Sequence, residues 1–186
     1  MQTVTIGSQV WMSQNLNVST FRNGDSIPEA KTMQEWEKAR QEEKPAWCYN
    51  DNNPLNGEKY GKLYNWHAVN DPRGLAPVGY HVPSEAEWTV LTDYLGDVVG
   101  EKMKSTIGWS KNGNGSNESG FNGLPGGERR ARGGSFVLSG LSGSWWSASE
   151  NEWGAIWGRL LRCDTVNIER LGFKKNCALS VRCLRD

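Results

Sequence analysis

The chain has 186 residues, which at ~150 residues per domain leaves room for one domain with insertions. Lys plus Arg is 21 and Asp plus Glu is 21, and this zero net charge argues against a nucleic-acid binder that depends on a broad basic surface. No run approaches ~18 consecutive apolar residues, so no membrane span is expected. The 22 glycines and 10 tryptophans predict a loop-heavy fold whose core is built on indoles. Residues 1–7 carry neither a basic nor an apolar leader region, so no signal peptide is expected.

Thr3 to Met12 alternates around a Gly-Ser turn and reads as two short strands. Thr32-Met-Gln-Glu35 is a capping box, with helical spacing through Trp36 and Ala39 to Gln41 and a stop at Pro45. Asp51 to Gly57 is a polar turn cluster. Leu63 to Val69 suits a short helix or a buried strand, and the helix is the preferred reading. In Pro83 to Gly96, Ser84 caps, Glu87 follows three residues later, and Trp88, Leu91 and Leu95 share a face before the Gly96 stop. A weaker helix is expected from about Asp97 to Lys104. Trp109 to Gly143 reads as loop. Strands are expected at 144–148, 155–163, 166–169 and 178–184. Helices first and an antiparallel β region last make the fold class α+β, in a single domain spanning residues 1–186.

Cys48, Cys163, Cys177 and Cys183 form no CxxC pair, which argues against a zinc ribbon and leaves one or two disulfides open. A histidine-based metal site needs two or three converging histidines. The chain has only His67 and His81, both better read as packed or hydrogen-bonded residues. No Gly-x-Ser-x-Gly elbow and no phosphate loop is present. No metal and no cofactor is therefore expected.

Several longer words stand out: Val10-Trp-Met-Ser-Gln-Asn-Leu16, Tyr60-Gly-Lys-Leu-Tyr-Asn-Trp66, Gly79-Tyr-His-Val-Pro-Ser-Glu-Ala-Glu-Trp88, Phe121-Asn-Gly-Leu-Pro-Gly-Gly127, Gly134-Ser-Phe136, Trp145-Trp-Ser-Ala-Ser149 and Ser180-Val-Arg-Cys-Leu184. In this order, over nearly the whole chain, they make it resemble the Fibrobacter succinogenes major paralogous domain family. The resemblance implies a C-type lectin-like fold, which also carries formylglycine-generating-type enzymes. It further implies kinship with variable proteins of diversity-generating retroelements in Bacteroides-type bacteria and their phages. In those, error-prone copying at adenines rewrites codons in the C-terminal segment. Relatives usually carry Asn, Tyr or Ser through this stretch, where this chain carries other residues. Adenine substitution in an Asn codon reaches Arg159, Leu161, Cys163, Asp164 and Cys177, while Trp153, Glu169 and Lys174 would be fixed neighbours. The calcium-binding triplets of lectins are absent, so no calcium-dependent sugar site is expected.

The tail itself points the same way. In a strand over 156–163, Trp157, Arg159, Leu161 and Cys163 face one side, and Ile156, Gly158, Leu160 and Arg162 face the other. Neither side is cleanly polar, which suggests a contact surface. The candidate ligand-binding residues are Trp153, Ile156, Trp157, Arg159, Leu161, Cys163, Asp164, Glu169, Lys174 and Cys177, within a segment of about 145–183. For Ile156 and Leu161 a core position is the equal alternative. Trp11, Trp66, Trp88, Trp145 and Trp146 read as structural, and Glu128 to Arg132 as a solvated loop or a positive rim. The expected function is non-enzymatic recognition of a protein or glycan, on a cell surface or a phage virion, without nucleic acid. An oligomer stays open. The alternatives are a formylglycine-generating-type oxidase using Cys177 and Cys183, or a structural module of a surface or phage-tail assembly.

Overall fold

The computed structural model describes residues 2–186 and is α+β, with short helices and several small antiparallel sheets. The expected N-terminal hairpin is present as β1 (Thr3–Ile6) and β2 (Gln9–Met12), so strands precede the helices. Strand β2 pairs in turn with β11 (Leu184–Arg185), which pairs with β5 (Tyr80–His81), so the two ends of the chain share one sheet.

Both capping boxes form. Thr32 caps α1 (Met33–Gln41) and Ser84 caps α4 (Glu85–Leu95); each accepts from the backbone of the Glu three residues on, which reaches back to the cap. Gly96 ends α4 at φ 66°, and Trp88, Leu91 and Leu95 are buried as the spacing predicts. Helix α5 (Val99–Met103) fills the expected weaker position. Between them, the 51–57 cluster is more ordered than a polar turn. Asn53 caps α2 (Pro54–Tyr60), and Pro54 stands where a helix needs no N–H donor. Residues 63–69 adopt both readings in succession, as β4 (Leu63–Tyr64), paired to β3 (Trp47–Cys48), and then the single-turn α3 (Trp66–Val69). The long loop after α5 holds only β6 (Glu128–Arg129) and β7 (Phe136–Val137).

The main sheet has the order β10-β9-β8, from Ile168–Phe173, Ile156–Arg162 and Ser142–Glu150. Strand β10 begins two residues later than its sequence suggests and runs four further. Trp145 and Trp146 are consecutive on β8, so they project to opposite faces. Trp146 joins Trp66, Ile156 and Leu179 in one core, and Trp145 joins Trp11, Trp88 and Leu161 in a second. The sheet is therefore packed on both sides along β8 and most of β9. A third core around Trp36, Cys48 and Leu63 lies under α1.

Eight of the ten tryptophans are buried, including all five read as structural; Trp153 and Trp157 are the exceptions. The Glu128–Arg132 run is not simply a solvated loop. Arg129 is 1% exposed, lies between the rings of Trp36 and Phe136, and donates to the carbonyls of Ala30, Thr32 and Gly134. Burial raises the neighbouring Glu128 carboxyl above the usual range. All four cysteines are free thiols.

Candidate ligand-binding face

Strand β9 is the middle strand of its sheet, and that position overturns the reading of its two apolar sides. Neither side is wet along most of its length, because each faces a core. Ile156 and Leu161 have no exposed surface, so neither can touch a ligand. Arg159 is 4% exposed and is an internal ion-pair partner, not the ligand contact its sequence pattern suggests. Its guanidinium donates to both carboxylate oxygens of Glu85, at 2.8 and 2.7 Å. Such a fork-to-fork bond satisfies a buried charge that would otherwise be costly.

Glu85 is placed for this role by the start of α4. Its N–H donates to the Ser149 hydroxyl, and the Ala148 N–H donates to the Pro83 carbonyl, tying the helix entrance to the irregular end of β8. The same carboxylate reaches a second arginine: Arg170 on β10 stands opposite Arg159 in register and approaches Glu85 at 3.4 Å. Arg170 is exposed, and its guanidinium lies 4.4 Å from the ring centre of half-buried Trp157. The series Arg159, Glu85, Arg170 thus runs from the interior to the surface, with half-buried Trp157 stacked against its outer member. Leu171 follows Arg170 on the edge strand and is 38% exposed.

The β8–β9 turn carries Trp153, which is 77% exposed. Large indoles are seldom this exposed without a partner. The turn is well ordered. The Asn151 side-chain oxygen accepts from the N–H groups of Trp153 and Ala155, and the Asn151 N–H donates to the Ala155 carbonyl at 2.7 Å. Gly154 supplies the left-handed residue at φ 77°. Lys175 pairs with Glu150 at 3.0 Å, bracing the turn from beyond β10.

The other predicted residues lie elsewhere. Asp164 is exposed at the far end of β9, where two bonds from Arg162 hold its carboxyl down to about 2. Glu169 comes within 3.9 Å of the same Arg162. Cys163 is half-buried against the second core. Lys174 is exposed just past β10. Cys177 packs half-buried against the first core, where burial pushes its thiol up. Among the ten candidates, then, Trp153 and Trp157 lie on the side of the turn, Lys174 follows β10, and Asp164, Glu169 and Cys163 gather at the opposite end. Arg170, Leu171 and Glu85 were missed. Leu171 and Arg170 sit in a stretch whose alternation is weak, and nothing in the sequence around Glu85 announces a partner 74 positions away.

His81 bonds Asp186 and Glu87, each at 2.8 Å; although burial opposes its charge, these bonds raise its pKa above the ordinary value. His67 bonds Asn176 at 3.1 Å. No group of three or more metal-ligating side chains converges among the described residues, and no helix among them is long and apolar enough to cross a membrane.

No curated protein and no solved structure matches the chain. The family model of the Fibrobacter succinogenes major domain matches residues 4–185, and the chain belongs to that family.

Proposed function

We propose that this is a non-enzymatic binding domain of C-type lectin-like fold, whose ligand-contacting face is the outer side of β10 with the β8–β9 turn. The observation that carries this reading is an exposed Trp153 on the ordered turn that leads into β9, the strand whose Trp157 stacks with exposed Arg170 of β10. Trp and Arg are the residue types enriched in binding hot spots. A sheet packed on both faces gives them a rigid mount, so little ordering cost falls on the ligand-binding step. The partner is a protein or glycan presented on a cell surface, and the domain acts there or on a phage virion.

The retroelement reading belongs to this proposal in a revised form. Ile156 and Leu161 are unsuitable for diversification because random side chains there would disrupt the cores. Asp164, Arg170, Leu171 and Gly172 are exposed and are of types that adenine substitution in an Asn codon reaches. A neighbouring reverse-transcriptase gene with a template repeat covering these codons is expected in the locus; a locus with neither removes this part of the proposal.

The oxidase alternative is weaker on physical grounds. Burial pushes the Cys183 thiol up to about 12, so it stays protonated and a poor nucleophile. Array binding to glycans and extracellular proteins tests the main reading. Trp153→Ala and Arg170→Ala are expected to lose the signal with melting temperature unchanged. No array signal for the parent would instead favour the structural-module reading, and equal signal for the parent and both variants would overturn the assigned face.

A further inference from the structure

A pocket of about 130 Å³ opens at the end of the sheet opposite the β8–β9 turn. Its walls include Leu138, Leu141 and Leu160; Ser142 and Cys163 line it, and the charged Lys111, Arg162 and Asp164 stand around it. Ser142 and Arg162 are register partners on β8 and β9, so their side chains share a sheet face, and Leu160 lies on that face two residues away. The Ser142 hydroxyl is therefore on the pocket's side. It is buried, and its oxygen has no hydrogen-bond partner among the described residues. Buried hydroxyls rarely stay unpartnered, because removing one from water without a replacement bond is costly.

The surrounding loops are fixed in place. The Ser110 N–H donates to the Gly140 carbonyl at 2.8 Å, and the Ser142 N–H donates to the Leu138 carbonyl at 2.9 Å. Gly113 lies so close to β9's end that a Cβ there would come within 2.3 Å of the Cys163 carbonyl oxygen, so only glycine lets the loop close down here. Leu138 and Lys111 both hold left-handed backbone, at φ 64° and 54°, a strained state for side-chain-bearing residues that is concentrated around binding sites. The charge is asymmetric. Two cations face one carboxylate. Arg162 pairs with Asp164 at 2.8 Å. Lys111, with no ion-pair partner within 4.0 Å among the described residues, helps lower the Asp164 pKa from further off, which leaves one net positive charge around the pocket.

We propose that this pocket binds a short-chain aliphatic carboxylate: the leucines take the chain, Ser142 donates to the carboxylate and Lys111 neutralises it. The volume suits about six non-hydrogen atoms, since an apolar cavity of roughly 150 Å³ accommodates benzene. This site is separate from the face proposed above, because it lies at the other end of β8 and β9, and shares only Asp164 with the diversified positions named there.

The test is a titration of the full chain, followed by amide NMR shifts, with butanoate, butan-1-ol and butylammonium. Butanoate is expected to bind saturably with Kd of about 1 mM, the range open to a ligand of this size. Shifts should cluster at Leu138, Leu141, Ser142 and Arg162. The alcohol should bind at least fivefold more weakly, and the ammonium ion not at all. Lys111→Glu, at an exposed position, should weaken butanoate at least fivefold, and Ser142→Ala should weaken it as well. Leu160→Trp, which fills the space, should abolish binding; if that variant does not fold, the Lys111 and Ser142 variants decide alone. Unsaturable shifts, equal binding of all three probes, or butanoate binding unaffected by Lys111→Glu and Ser142→Ala each overturn the proposal.

Discussion

Arg159 and Glu85 show how much one buried pair decides. Each is the other's main charge partner, and Arg159 is almost fully enclosed. Glu85→Ala leaves that guanidinium buried with no bidentate partner and is expected to cost about 3 kcal/mol in urea denaturation. The double variant Glu85→Ala with Arg159→Met should recover most of that loss, because it removes the charge along with its partner. His81 gives a pH signature of defined sign. Burial lowers its pKa, but hydrogen bonds to Asp186 and Glu87 outweigh that and raise it above 6.5. Its contribution is therefore fully present below pH ~6.5 and is lost as pH rises through the folded-state value. Melting temperature should fall between about pH 6 and pH 8, and the fall should be smaller in His81→Asn.

At the scale of elements, α1, α4 and the spans of β8 and β9 are legible in the sequence, whereas α2, the span of β10, the burial of β9 and the end of the chain are not. Of the strand expected over 178–184, only Leu184 is in a strand, β11. Capping boxes are local, so Thr32 with Glu35 and Ser84 with Glu87 announce α1 and α4 in the sequence and form in the structure. Ser84→Ala should lower stability by about 1 kcal/mol by orphaning the Glu87 N–H. Strand β9 misled because its two-sided apolar pattern suits either a contact surface or an internal strand, and its neighbours choose between them. The distinction is measurable. Leu161→Ala should cost about 3 kcal/mol, as for a closed core site, and Leu171→Ala about 0.5 kcal/mol or less. Equal effects in denaturant titrations would mean the packing assigned to β9 is wrong. Helix α2 was missed because Pro and Asn read as turn signals, although Pro at the first helical position and Asn before it also start helices.

Over the whole molecule, the recurring sequence words are the pins that join distant segments. Asn15 accepts from the indole N–H of Trp145 at 2.8 Å and from Arg182 at 3.0 and 2.7 Å, joining the N-terminal, β8 and C-terminal words at one oxygen. Arg182 is fully enclosed, and burial pulls its pKa down to about 9. Further bonds to the carbonyls of Met12 and Phe121 hold it. Asn15→Ala should therefore cost about 2–4 kcal/mol and broaden the thermal transition, since it strands both a buried cation and an indole N–H. Substitutions at Trp153, Arg170 and Lys174 should leave the melting temperature nearly unchanged, as measured by calorimetry.

By itself the sequence determined the family, the α+β class, the two capped helices and the burial of the tryptophans within the recurring words. These follow from local signals: caps, spacing and side-chain size. Only the tertiary structure decided which tail residues reach the surface, because a strand's exposure depends on what lies beside and across from it. Putting β9 between β8 and β10, with a core on each face, moved Ile156, Leu161 and Arg159 inside and left Trp153, Arg170 and Leu171 to meet the solvent.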